Sequence, residues 1–190
     1  MIPLGVLASG YVAPASPASG VYDSFNRANS TTGLGTADTG HTWVPITGVL
    51  GITSSEAYLV SGDALSIINF GSNTMQVSAK VSVFSDYWPA IYACKDVNGA
   101  GGFMLTTDRA AVKLSGYGGA YPVANGDTIT IRVASASETT VDVSLLINGI
   151  RKVTWSGRPK PSEANTYAGF DIKAGRTQTR VDEFIVEEPA

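Results

Sequence analysis

Beyond residue 70 the chain alternates apolar and polar positions. Residues 74–84 place Met75, Val77, Ala79, Val81 and Val83 on one side, and Gln76, Ser78, Lys80 and Ser82 on the other. A period of two marks a strand with one buried face. The pattern returns at residues 128–133, with Ile129, Ile131 and Val133 inward and Thr130 and Arg132 outward, and again at Val141, Val143, Leu145 and Ile147. Residues 182–186 close it with Phe184 and Val186 on one side. Asn98-Gly99, Asn125-Gly126 and Asn148-Gly149 supply turns, since both residue types adopt positive φ cheaply. No stretch has the spacing of an amphipathic helix of ordinary length, although residues 159–164 have room for one helical turn. This rhythm predicts an all-β fold, an antiparallel two-sheet β-sandwich with on the order of twelve strands.

The hairpin at Asn148-Gly149 poses a register problem. A strict two-residue loop pairs Ile147 with Ile150 and turns Lys152 and Thr154 inward. An odd-numbered loop turns Val153 and Trp155 inward and Lys152 outward. Burying an unpaired lysine is costly. The expectation is therefore a three-residue connection with Gly149 in the left-handed region.

Composition supports the strand reading. Charged residues make up 15% of the chain, against about 25% in an average domain. The 190 residues suit one domain with one core. The 13 Lys and Arg are scattered and the net charge is -3, so no basic patch marks a nucleic-acid partner. No run reaches the roughly 18 apolar residues that span a membrane as a helix.

The first 20 residues differ from the rest. They carry no charged side chain, and Pro3, Pro14 and Pro17 forbid a continuous helix. They make a poor signal peptide, because no basic residue precedes the apolar part. Yet Ile2, Leu4, Val6, Leu7, Tyr11 and Val12 are too apolar for a solvated tail. Residues 1–20 are expected to form an extended arm and residues 21–190 the sandwich domain. The arm lies either on a neighbouring subunit or on its own domain as an edge strand.

Candidate chemistry is sparse. Cys94, the single cysteine, sits in the apolar run Ile91-Tyr92-Ala93-Cys94 and reads as a buried, inert thiol. His41 is the single histidine, so a metal site lacks ligands. Asp96-Val97-Asn98-Gly99 begins like a calcium loop but lacks its later acids, and reads as a hairpin turn. No phosphate-binding glycine loop and no nucleophile-elbow sequence occur. No cofactor, metal or catalytic residue is assigned.

The segment Asp23-Ser24-Phe25-Asn26-Arg27, followed by Gly33-Leu34-Gly35, Thr39-Gly40-His41-Thr42-Trp43 and Gly51-Ile52, resembles a concanavalin A-like jelly-roll module. Such modules occur in bacteriophage virion proteins, minor tail proteins especially. Ala168-Gly169-Phe170-Asp171 and residues 180–186 resemble its last strands, and residues 3–9 resemble the start of many actinobacterial-phage structural proteins. The resemblance implies a jelly roll and a non-enzymatic virion component, a capsid decoration, minor capsid or minor tail protein on the particle surface. Its partners would be capsid or tail subunits and further copies of itself, reached partly through the arm. Independently of that resemblance, Asp23 and Arg27 have the types of a fold-stabilising pair, and Phe25 and Trp43 those of core aromatics joining the sheets.

Concanavalin A-like folds also include glycoside hydrolases. A retaining enzyme needs two carboxyl groups about 5–5.5 Å apart. Near the C-terminus Asp182 shares its face with Phe184 and Val186, while Glu183 and Glu187 share the other. The Glu-x-Asp-x-x-Glu arrangement of laminarinases is absent, so an enzyme is not expected. The rival function is carbohydrate binding at a host surface. Tyr87, Trp88, Tyr117 and Tyr121 form the candidate glycan platform. The same rings would otherwise cap the ends of the sandwich.

Overall fold

The computed structural model describes residues 20–84, 89–108 and 111–189. The arm residues Ile2, Leu4, Val6, Leu7, Tyr11 and Val12, and Tyr87 and Trp88 of the platform, lie outside them.

The described chain is all β and forms 13 strands, close to the number expected. They are β1 (Val21–Asp23), β2 (Trp43–Thr53), β3 (Glu56–Asn69), β4 (Met75–Val83), β5 (Ala90–Lys95), β6 (Phe103–Asp108) and β7 (Ala111–Leu114). There follow β8 (Tyr121–Pro122), β9 (Thr128–Ser135), β10 (Thr140–Ile147), β11 (Ile150–Pro159), β12 (Tyr167–Ile172) and β13 (Arg180–Glu187). Hydrogen-bonded neighbours run β11-β10-β9-β4-β13-β3-β12-β5-β6-β7-β8, with β1 added to β13 and β2 to β3. Every pairing is antiparallel.

The sequence pattern suggests two separate sheets, whereas the hydrogen-bonded path is continuous. Long β3 carries it: Ala57 and Tyr58 pair with β13, and residues 64–69 pair with β12. Between these parts the β2–β3 ribbon bends at Gly48 (φ +54) and Gly62 (φ +68). A Cβ on Gly48 would stand 2.6 Å from the Asp63 carbonyl oxygen, so no side chain fits in the bend. The path then doubles back, and β5 packs against β4 and β9, and β7 against β10, without pairing with them.

The alternating positions meet where the layers face each other. Met75, Val77, Ala79 and Val81 of β4, Ile129, Ile131 and Val133 of β9, and Val141, Val143 and Leu145 of β10 are all buried. Thr130, expected outward, is also buried, and its hydroxyl is 2.8 Å from that of Ser78 on the neighbouring strand. Phe25, Trp43, Phe170 and Phe184 form an aromatic cluster with ring centroids 5.0–6.3 Å apart. Asp23 lies beside it with no exposed surface and accepts from the two terminal guanidinium nitrogens of Arg27, the Phe25 N–H and the Trp43 indole N–H. The opening motif is thus a structural clamp joining β1 to β2.

Two local expectations are corrected. The Asn148-Gly149 loop has two residues, both at positive φ (51° and 75°), and Ile147 does pair with Ile150. The register shift comes further along: Leu146 pairs with Arg151 but Leu145 with Val153. A bulge at Lys152 therefore keeps the lysine exposed and brings Val153 and Trp155 opposite Leu145 and Val143. The facing is as expected, but the bulge, not the loop, produces it. Residues 159–164 hold no helical turn; Asn165 N–H donates to the Ser162 carbonyl in an ordinary turn. The Asp96 turn is as expected, its carboxylate accepting the N–H groups of Asn98 and Ala100.

Candidate functional site

The layer β12-β5-β6-β7 sends alternate side chains away from the core. Ala168, Phe170 and Ile172 of β12, Ile91 and Ala93 of β5, and Leu105 of β6 point into it. Gly169 and Asp171, Ala90 and Tyr92, and Met104 therefore share the opposite face. Register aligns Gly169 with Tyr92 and Tyr92 with Met104, and places Asp171 opposite Ala90.

Asp171 is 3% exposed. Its Oδ2 accepts the Tyr92 hydroxyl at 2.8 Å and lies 3.5 Å from Lys173 Nζ, which also reaches Asp63 at 3.6 Å. Its Oδ1 is buried without a hydrogen-bond partner. Burial raises the Asp171 carboxyl above the ordinary range, outweighing Tyr92 and Lys173, which pull it down. Burial likewise pushes the Tyr92 phenol up, helped by the Asp171 charge, so this hydroxyl remains a donor.

A bulge brings Lys95 to this face. Tyr167 pairs with Lys95 and Gly169 with Tyr92, so two steps along β12 match three along β5. The extra residue is absorbed at Cys94, whose φ is 60°. Without it Lys95 would point to the core. As built, its Nζ lies 4.3 Å from the Tyr92 ring centroid, and burial pushes its pKa down. Cys94 is buried as expected and its thiol is directed at the Asn73 carbonyl. Gly102 closes over the bulge, where a Cβ would stand 2.3 Å from the Ala93 carbonyl oxygen.

Tyr92, Lys95, residues 101–104 and Ser115 form one wall of a cleft of about 530 Å³; Trp155 and Arg158 of β11 form the other. The Arg158 guanidinium carbon is 3.7 Å from the Trp155 ring centroid, and the Tyr117 ring lies 5.2 Å from the same ring. A second hollow of about 320 Å³ lies among Leu34, Trp43, Pro45 and Leu50 and has no ionisable side chain in its lining.

Of the expected platform, Tyr117 packs beside Trp155, outside the lining of the cleft, and is 37% exposed. Tyr121 of β8 pairs with Val112 of β7 and is half-buried against the core. Trp155, Arg158, Tyr92, Lys95 and Asp171 were not singled out by the sequence reading as site residues. The alternation of Gly169 and Asp171 with core residues was the available signal for Asp171. The Cys94 bulge left none for Lys95. The C-terminal acids serve the sheet, with Asp182 paired to Lys80 and Glu187 accepting from Gln76. Among the described residues no group of His, Cys, Asp and Glu side chains is arranged to hold a metal ion, and no helix is long and apolar enough to cross a membrane.

No family model and no curated protein matches the chain. Solved structures do. An endo-1,3-β-glucanase from Streptomyces sioyaensis superposes with a TM-score of 0.59 at 12% identity, over 94% of this chain and 100% of that one. The carbohydrate recognition domain of Emp47p gives 0.54 at 9% identity, over 90% and 96%. A galectin-like protein from Bacillus subtilis gives 0.51 at 14% identity, over 77% and 89%. At such identities the likeness establishes the fold, a galectin- and concanavalin-like jelly roll.

Proposed function

We propose that this domain is a carbohydrate-binding jelly roll that takes a glycan in the cleft between Tyr92 and Trp155. The observation that carries this is the cleft itself, an aromatic-walled hollow with a few convergent polar groups, Lys95 and Arg158 on strands and Ser115 in a turn. Sugars present apolar C–H patches beside hydroxyls, and rings with polar neighbours suit both. Lys95, Arg158 and Ser115 supply the hydrogen-bonding groups. This is the reading that the sequence kept as its alternative.

We read the cleft as non-catalytic. Glycoside hydrolysis needs two carboxyl groups flanking the scissile bond. The described lining of the cleft contributes none. Asp171 stands behind Tyr92, and Lys173 lies between it and Asp63. The test is a panel of immobilised polysaccharides probed with the purified chain. Saturable retention on one or more, lost in Trp155→Ala with the melting temperature kept within a few degrees, supports the reading. Release of reducing sugar above a buffer blank contradicts the non-catalytic part.

A second reading concerns residues 1–20, whose uncharged, apolar composition favours attachment to a partner. In it the two layers of the jelly roll form a sandwich held on a phage particle by the arm. Deleting residues 2–18 tests this. A folded domain that no longer attaches to particles supports it; an unfolded domain makes the segment part of the core instead.

A further inference from the structure

We propose that the glycan taken by this cleft is acidic, with a uronate carboxylate bound between Lys95 and Arg158. This rests on the carbohydrate-binding reading and specifies its ligand. Several cations of the described chain are paired: Arg27 with Asp23, Lys80 with Asp182, Lys160 with Glu163, and Lys173 with Asp63 and Asp171. Lys95 and Arg158 make no ion pair among the described residues, and both line the one cleft.

Each is held against a ring instead, Lys95 over Tyr92 and Arg158 over Trp155. A cation over an aromatic face keeps its charge but loses freedom, so it is ordered before a ligand arrives. Arg158 Nε is buried with no hydrogen-bond partner. Arg158 thus has hydrogen-bonding capacity that the described residues do not use. The guanidinium fork matches the two oxygens of a carboxylate.

The nearby acids stand outside the lining of the cleft, although the charges of Asp171 and Asp96 reach Lys95. Asp171 is bound to Tyr92 and Lys173, Asp96 caps its own turn, and Asp142 accepts the Gly157 N–H. The described lining of the cleft thus carries two cations and no carboxylate, on a chain of net charge -3. A neutral glycan brings no carboxylate between Lys95 and Arg158; a uronate oligomer does.

The experiment is calorimetric titration of the full chain with short oligomers of galacturonate, mannuronate and glucuronate, and with the same oligomers after reduction of their carboxyl groups to neutral alcohols. At least one acidic oligomer is expected to bind about tenfold or more tighter than its reduced form. Lys95→Gln and Arg158→Gln should each weaken it by a similar factor. Lys152→Gln, on the exposed bulge of β11, should change nothing, which separates site binding from general charge attraction. Melting temperatures of the variants check folding, and either cleft variant suffices if the other unfolds. Equal binding of acidic and reduced oligomers, or loss of affinity in Lys152→Gln as large as in the cleft variants, overturns the acidic assignment and leaves carbohydrate binding standing. Failure of every acidic and neutral oligomer, with no retention on the polysaccharide panel, overturns both.

Discussion

The Trp43 indole N–H donates to Asp23 Oδ2 at 2.7 Å, across 20 residues of sequence. Asp23 is fully buried and also holds Arg27 and the Phe25 N–H. One carboxylate thus fixes the end of β1, the loop after it and the start of β2. Removing it leaves an indole and an amide without their acceptor and the Arg27 guanidinium without its counter-charge, with only the Leu34 carbonyl to bond. Asp23→Ala should destabilise the domain by about 3–5 kcal/mol, measured by urea unfolding.

Trp43→Ala should cost about 3–5 kcal/mol through loss of core volume. Trp43 is 4% exposed and touches Phe25, Phe170 and Phe184. Trp43→Phe keeps most of that packing and gives up the bond to Asp23, so it should cost less. A loss below about 1 kcal/mol for the alanine variant is incompatible with the cluster described.

Asp171 gives the stability a definite pH dependence. Its folded pKa lies above the ordinary value of 3.8 because of burial. Between those values the folded state binds the extra proton, so this group's contribution weakens as pH rises through that window and is flat above it. Asp171→Asn keeps an acceptor for the Tyr92 hydroxyl and loses the titration. It should flatten the slope of stability against pH from about 4 upward and be neutral or stabilising at pH 7. Urea midpoints across that range check it; an unchanged slope would show that Asp171 is not the group responsible.

Cys94 should be inert until the domain opens. Burial pushes its thiol up to about 12, and only the thiolate reacts. Iodoacetamide at pH 8 is expected to leave the native chain unmodified by mass and to alkylate it fully in denaturant. Prompt labelling of the native chain would show the bulge to be open.

Strands, turns and the aromatic core were legible because they depend on local alternation. Met75 to Val81, Ile129 to Val133 and Val141 to Ile147 carry that signal residue by residue. The site was less legible, because it depends on departures from alternation. Lys95 reaches the cleft through a left-handed cysteine, a conformation that nothing in Ala93-Cys94-Lys95 announces. Trp155 reaches it through a bulge at Lys152, whereas the sequence pattern places the extra residue in the Gly149 loop. Tyr117 is one of the platform rings expected from sequence, but its partner Trp155 lies 38 residues away on β11. Such pairings are set by how the sheet doubles back, and only the register shows that.

The most direct test of the carbohydrate-binding account is to locate the bound ligand. In a titration of isotope-labelled chain with the tightest oligosaccharide found, followed by amide and indole nuclear magnetic resonance, the largest shifts should fall on Tyr92, Lys95, Met104, Ser115 and the Trp155 indole. The Trp43 indole, locked to Asp23 in the core, should not move. Shifts confined to residues away from this cleft, or none at saturating ligand, would contradict the account.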